Sequence, residues 1–377
     1  MREDSIQYRG TGLSLMMEAR KVQKVGYSTL IVSLPKDWVE EVGLKQGDIV
    51  SFRRESDGGI TIYPGLTRER ESYRYVLDAD LCDQPNLLTR IITANYLTGH
   101  DTIQIISKKE LSKQHLEEVR AVSRRLTGLG IVEQSLKSVT LQSFVDPTKF
   151  PIYGLMRRLQ IILSSMVETA VKAVVEGRTS LAEEVLHMEE EADRIYWMVI
   201  RQLLLAVIDR RVAKEVGIEG PMHVVGNRVI AKSLEQMGDL ASHIAQEALK
   251  LKSDAKNVEP KITKGLVEFG DRARLLIEDA FNALMKSDVK KSNEVIERVA
   301  ASEQLERSLT ADIMRNVKEV NLAVGLRSIV WDIGQMAKYS EAIAEVSVNR
   351  YIEVPNDLCM WEKVESREAK QVRKAEA

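Results

Sequence analysis

The sequence predicts a multidomain chain: a small β-rich head over residues 17–65, an α+β unit over 72–147 and an all-α body over 152–352. Three observations carry this reading. Short β-rich runs broken by glycine fill the head. From 72 to 146 strand-like and helix-like periods alternate, and Pro147 and Pro151 close that stretch. Beyond them the apolar spacing is helical almost without interruption. Ile230, Leu234, Met237, Ala241, Ile244, Ala248 and Leu251 alternate steps of four and three, which is a bundle seam.

In the head, Val22 to Val25 followed by Gly26 reads as strand and turn, and Thr29 to Leu34 as a second strand. Pro35 sits where a helix over Lys36 to Val42 would begin, and Gly43 would end it. Gly47-Asp48 is a hairpin signal before a strand from Ile49 to Arg54, and the turn Ser56 to Gly59 leads into a last strand, Ile60 to Tyr63. The pair Met16-Met17 marks an alternative start, with an unstructured extension before it.

The middle unit reads βαβαββ. Its strands are expected at 73–77, 102–106, 131–136 and 139–145, and its helices at 86–97 and 112–126. The body reads as six long helices, with breaks near Gly177, Gly217–Pro221, Asp254–Pro260, Ser287 and Asn321–Gly325. A mixed-charge tail over 353–377 is expected to fray or stay unfolded.

The six helices form two copies of a three-helix unit, 152–252 and 261–352. Val167 to Val174 matches Ile277 to Leu284, and without a gap Glu184-Val185-Leu186 falls on Glu294-Val295-Ile296. In the third helices Gln236-Met237 matches Gln335-Met336.

Composition bounds the function. The formal net charge is −2, so any nucleic-acid contact must come from a local basic patch. The two cysteines, Cys82 and Cys359, stand far apart with no metal-ligand spacing, which argues against a disulfide framework or a thiolate zinc site. No apolar run approaches a membrane span; the longest candidate, Val199 to Val207, contains Arg201 and Gln202. With no leader-like segment after Met1-Arg2-Glu3-Asp4, a cytoplasmic protein is expected. No P-loop, GxGxxG or Ser/His/Asp arrangement supports enzymatic chemistry.

Two ExxxD pairs lie in the first repeat: Glu189 with Asp193, and Glu235 with Asp239. Spacing of four puts each pair on one helix face, where like charges repel unless a cation offsets them. On adjacent helices the four carboxylates can meet at one hard cation, such as Mg²⁺, Mn²⁺, Ca²⁺ or Fe³⁺. A solvated acidic face is the plainer reading of either pair alone. A di-iron bundle would need Glu-x-x-His on two helices, and only Glu184 with His187 offers it. His243, four residues after Asp239, is either a supplementary ligand or a packing residue.

The helical repeats, with Glu235-Gln236-Met237-Gly238-Asp239 closing on His243-Ile244-Ala245-Gln246-Glu247, resemble the PhoU family over about 152–352. That resemblance implies metal-binding helical bundles and a role in repressing phosphate uptake, through DNA, a phosphate transporter or a signalling protein. It moves the metal toward iron or zinc. In the second repeat Glu189 and Asp193 become Val299 and Glu303, while Glu235 and Asp239 become Gly334 and Lys338. One metal site per chain is therefore expected, with Lys338 pairing with Glu303.

The head, with Arg20 to Gly26, Ser33-Leu34-Pro35-Lys36 and Gly43 to Asp48, resembles the AbrB-type swapped-hairpin domain. The resemblance implies a homodimer of interleaved hairpins that binds DNA. Arg20, Lys21, Lys24 and Lys36 would supply the phosphate contacts, and Leu30, Val32 and Ile49 the interleaved core.

Overall fold

The computed structural model describes residues 19–54, 58–65, 74–251 and 258–360. Met16-Met17, Ser56 and Asp57 of the expected turn, Tyr73, Asp254 and the segment from Glu362 onward lie outside them. The chain divides into two compact units, Met1–Ser72 and Tyr73–Ala377.

In the first unit β1 (Gln23–Val25) pairs antiparallel with β2 (Thr29–Ile31). Gly26 makes the turn at φ +66°, a left-handed conformation that costs glycine nothing. Helix α1 (Lys36–Glu41) follows Pro35, and β3 (Val50–Arg54) pairs antiparallel with β4 (Ile60–Pro64). Gly47-Asp48, expected in a hairpin, lies instead in the connection from α1 to β3, where the Lys45 amide donates to the Asp48 carboxylate at 2.7 Å. None of the described residues of this unit is buried. Leu30 is 68% exposed and Phe52 65%, so the two hairpins make no core of their own.

The second unit begins with β5 (Arg74–Asp78), α2 (Leu87–Leu97), β6 (Thr102–Ile106), α3 (Lys113–Arg125), β7 (Leu129–Gln134) and β8 (Ser138–Ser143). The sheet order is β5-β6-β8-β7, with β5 and β6 parallel and the other pairs antiparallel. Leu88, Ile92 and Tyr96 of α2, Val119 and Val122 of α3, and Ile103, Ile105 and Leu141 of the sheet are all buried and form its core.

Glu118 of α3, also buried, caps α2 from outside. It accepts from the amides of Asn86 (3.3 Å) and Thr89 (3.0 Å), from the Thr89 hydroxyl and from Gln114. Burial opposes ionisation of Glu118, but these bonds outweigh it and hold the carboxyl below its ordinary value. Asn86 itself is left-handed at φ +63°, so the helix starts at Leu87, one residue later than the sequence suggested.

The body is α4 (Ile152–Glu176), α5 (Thr179–Ile208), α6 (Arg210–Val216), α7 (Pro221–Leu251), α8 (Pro260–Lys286), α9 (Val289–Asn316) and α10 (Val320–Tyr351). Helices α4, α5 and α7 make the first three-helix unit; α8, α9 and α10 make the second. One continuous apolar core runs through both. The short α6 is an insertion that the six-helix reading did not contain.

The last break also moved. It falls at Val317–Glu319, because the Glu319 carboxylate caps α10 at the Asn321 and Leu322 amides. Gly325 lies inside α10 instead, where its missing Cβ admits Leu251 of α7, whose Cδ2 would stand 3.0 Å from that Cβ.

Helix α5 also carries the contact with the α+β layer. Arg201, 1% exposed, pairs with Asp101 at 2.8 Å and donates to the Tyr96 carbonyl. Gln202 donates to the carbonyls of Pro147 (2.6 Å) and Phe150 (2.5 Å). Trp197 packs against both apolar cores. Among the described residues no helix is long and apolar enough to cross a membrane.

Candidate metal groove and basic head

The first-repeat carboxylates come from the packed pair α5 and α7. The α5 stripe that buries Ala192, Ile195 and Val199 turns Glu189 and Asp193 toward α7. On α7 the buried stripe through Leu234 and Met237 leaves Glu235 partly covered and Asp239 exposed at the rim. Gly238, between them, admits Leu163 of α4, whose Cδ2 would lie 3.2 Å from an added Cβ.

The four acids feel one another. Burial, then the Asp193 and Asp239 carboxylates, push Glu189 up to about 7. Partial burial and then Glu235 push Asp239 up to about 6, although water at the rim moderates the effect. Asp193 is raised chiefly by burial, with Arg125 acting against it. Two bases enter the groove: Arg125 of α3 meets Asp193 at 3.1 Å, and Lys232 pairs with Glu235. Gln236 donates to Asp239 at 2.9 Å.

The four expected residues thus share one groove. They do not close on a single point: among the described residues no three His, Cys, Asp or Glu side chains come together closely enough to hold a metal. The donor chemistry nevertheless fits a hard divalent ion. Four carboxylates against two bases leave two negative charges when all are ionised, and mutual repulsion within the groove is what a cation would relieve.

His243 is turned elsewhere. Its Nδ1 lies 2.7 Å from Asp332 of α10, a residue 1% exposed, so it bridges the two repeats and does not face the four acids. Nothing in the spacing of one sequence pairs residues 243 and 332, and this contact was missed. His187 is exposed on α5, as expected of a surface residue.

In the second repeat Lys338 reaches Glu303 at 4.0 Å, and Arg307 pairs with the same carboxylate at 3.1 Å. Glu303 is not the only acid near Lys338. Glu306, one turn on, lies against Gly334, where an added Cβ would fall 2.4 Å from its Oε2. Burial raises Glu306, while Lys338 pulls it the other way. Glu306 aligns with Tyr196 of the first repeat, which is why matching acid to acid did not find it.

In the head, Arg20 and Lys21 precede β1, Lys24 lies within it opposite Leu30, and Lys36 opens α1. All four are exposed. Lys36 pairs with Glu40 at 3.6 Å, one turn along the same helix.

Residues 23–70 match the family model described as antidote-toxin recognition MazE, bacterial antitoxin. Residues 156–248 and 266–347 match the PhoU domain model. No curated protein matches the chain. Among solved structures, PhoU from Pseudomonas aeruginosa aligns at 15% identity and a TM-score of 0.46, over 52% of this chain and 93% of its own. The phosphate transport system regulatory protein PhoU from Streptococcus pneumoniae aligns at 17% identity and a TM-score of 0.47, over 55% of this chain and 96% of its own.

Proposed function

We propose that this chain is a regulator of phosphate transport, not an enzyme, that represses phosphate uptake by binding DNA. One observation carries the reading: two matches to the PhoU domain model share a chain with a head that matches the MazE antitoxin model. The body reports phosphate status and the head contacts operator DNA, in the cytoplasm.

The head acts as a homodimer. With none of its described residues buried, it has too little core to hold a fold by itself. Val25, Leu30, Val32, Ile49 and Phe52 are apolar and exposed, and a second copy with interleaved hairpins would cover them. Doubling the head also doubles the basic set Arg20, Lys21, Lys24 and Lys36, which then supplies phosphate contacts.

In the body, Glu189, Asp193, Glu235 and Asp239 would hold one metal ion per chain; resemblance favours iron or zinc, and ligand type admits Mg²⁺, Mn²⁺ or Ca²⁺. The bound ion supplies positive charge that ties α5 to α7. Elemental analysis tests this: Asp239→Ala should lose the metal and Lys338→Ala should keep it.

The exposed apolar surface of the head favours a second reading, in which the head only clamps the dimer and the body binds a transporter or signalling protein. A gel shift on DNA upstream of phosphate-transport genes, at two salt concentrations, separates the two. Repressor function predicts salt-sensitive binding that the triple variant Arg20→Ala, Lys21→Ala, Lys24→Ala abolishes while remaining dimeric. Wild-type protein that leaves the DNA unshifted would favour the adaptor.

A further inference from the structure

The acidic groove on α5 and α7 receives a side chain from outside the helical body. Arg125, the last residue of α3, places Nε 3.1 Å from Asp193 Oδ2, and its guanidinium carbon lies 5.0 Å from the ring centroid of Trp197, one turn along α5. Two residues on, the Thr127 hydroxyl donates to the Arg194 carbonyl at 3.1 Å. The end of α3 and the residues after it are thus seated on one turn of α5. The Arg125 side chain is still 47% exposed, against 20% for Asp193.

The second repeat supplies the comparison. Asp193 corresponds to Glu303, which has Arg307 of its own helix at 3.1 Å and Lys338 of α10 at 4.0 Å. Both grooves therefore put a base on the equivalent acid, but from different sources. Lys338 belongs to α10, a helix of the same bundle as Glu303, and its side chain is 49% exposed. Arg125 belongs to another layer. It also borders an open cleft of about 460 Å³ between α2 and α3, lined by Asn86, Gln114 and Glu117 among others.

We infer that Arg125 is an exchangeable counter-ion of the first groove: a divalent cation held by Glu189, Asp193, Glu235 and Asp239 competes with the guanidinium for Asp193, so that filling the groove releases the end of α3 from α5. The inference rests on the metal reading above. Its physical basis is that one carboxylate cannot serve two cations a few ångströms apart without their mutual repulsion weakening both. The guanidinium is the weaker competitor because its exposed side lets water screen the pair. Release is local. Arg201 with Asp101, and Gln202 with Pro147 and Phe150, hold the two layers together from one to two turns further along α5. The α+β layer thereby gains a role: it senses whether the groove is filled.

The test uses full-length protein stripped by a chelator, with Mn²⁺ as the probe. Arg125→Gln should bind Mn²⁺ at least fivefold more tightly than wild type by calorimetry, and Arg125→Lys should fall between them. In wild type, Mn²⁺ should speed hydrogen exchange of the amides over 122–129 and leave 200–205 unchanged. In Arg125→Gln the first segment should exchange fast with or without metal. Equal affinities and no exchange response overturn the competition while the metal reading stands. Weaker binding by Arg125→Gln also overturns it, making Arg125 a support that positions Asp193. No binding by any of the three proteins, or undiminished binding by Asp239→Ala, overturns the metal reading and the competition with it. Circular dichroism of each variant verifies that it is folded.

Discussion

Arg201 of α5 and Asp101, which precedes β6, form a lopsided ion pair: the arginine is 1% exposed, the aspartate 53%, and 2.8 Å separates Nη2 from Oδ1. The guanidinium also lies over the Tyr96 ring, 4.4 Å from its centroid, and donates to the Tyr96 carbonyl. One charged side chain thus fills the joint between the sheet layer and the bundle. Arg201→Met keeps much of the volume and removes the charge and the donors, leaving the Tyr96 carbonyl without this partner. Chemical denaturation should show a loss of roughly 2–4 kcal/mol, the range for breaking a buried polar contact. A loss below about 0.5 kcal/mol would make the joint an incidental contact.

From sequence alone Arg201 speaks only against a membrane span, and the reason is general. A charge inside an apolar helical run says that the segment meets something polar, but its partner is 100 residues away in sequence and follows no period. What was legible was local. Helical and strand periods, Gly43, Gly177 and the repeat placed nearly every element within a residue or two. Gly325 was misplaced because glycine ends a helix in one context and admits a neighbouring side chain in another. In the groove, the ExxxD spacing found the four acids, and the alignment foresaw Lys338 with Glu303. Arg125 and Glu306 escaped because neither repeats: one comes from the other layer, and the other replaces a tyrosine.

The raised carboxylates make the metal-free protein sensitive to pH. Glu189 sits at about 7 in the native state against 4.5 when free, so the native state holds a proton that the unfolded chain has released between those values. Stability therefore falls as pH rises through about 4.5 to 7. For a half-buried group the loss is on the order of 1–2 kcal/mol once solvent screening is allowed for. Chelator-stripped protein should melt at a lower temperature at pH 7.5 than at pH 5.5, and Glu189→Gln should flatten that difference. An unchanged slope in Glu189→Gln would mean that other groups dominate the profile.

Leu30 gives a direct probe of the head. It is 68% exposed and lies across from Lys24 in the β1–β2 hairpin. A second copy that covers it would have to bury a charge in Leu30→Asp, at a cost of several kcal/mol. The expected outcome is a dimer that dissociates at concentrations roughly a hundredfold higher than wild type, measured by sedimentation. An unaltered dimer would locate the contact on another surface.

The two three-helix repeats are clamped together where α8 crosses α4, and Gly270 shows how closely. A Cβ at this position would meet Val171 Cγ2 at 2.8 Å, with the Val171 Cβ and Cγ1 at 3.5 Å. Valine is branched at Cβ and has one favoured rotamer in a helix, so it cannot turn aside as a longer side chain would. Gly270→Ala gains about 1 kcal/mol in helix propensity but forces an overpacked contact worth about 1–3 kcal/mol against it. The net effect should be destabilising by about 1 kcal/mol. Val171→Ala removes the obstructing methyls and leaves a small void when Gly270 is kept. In the double variant the new methyl fills that void, so its stability should exceed the sum of the two single effects by about 1 kcal/mol or more. Strict additivity in a denaturation cycle would show that the two helices part at this crossing with no loss to the core.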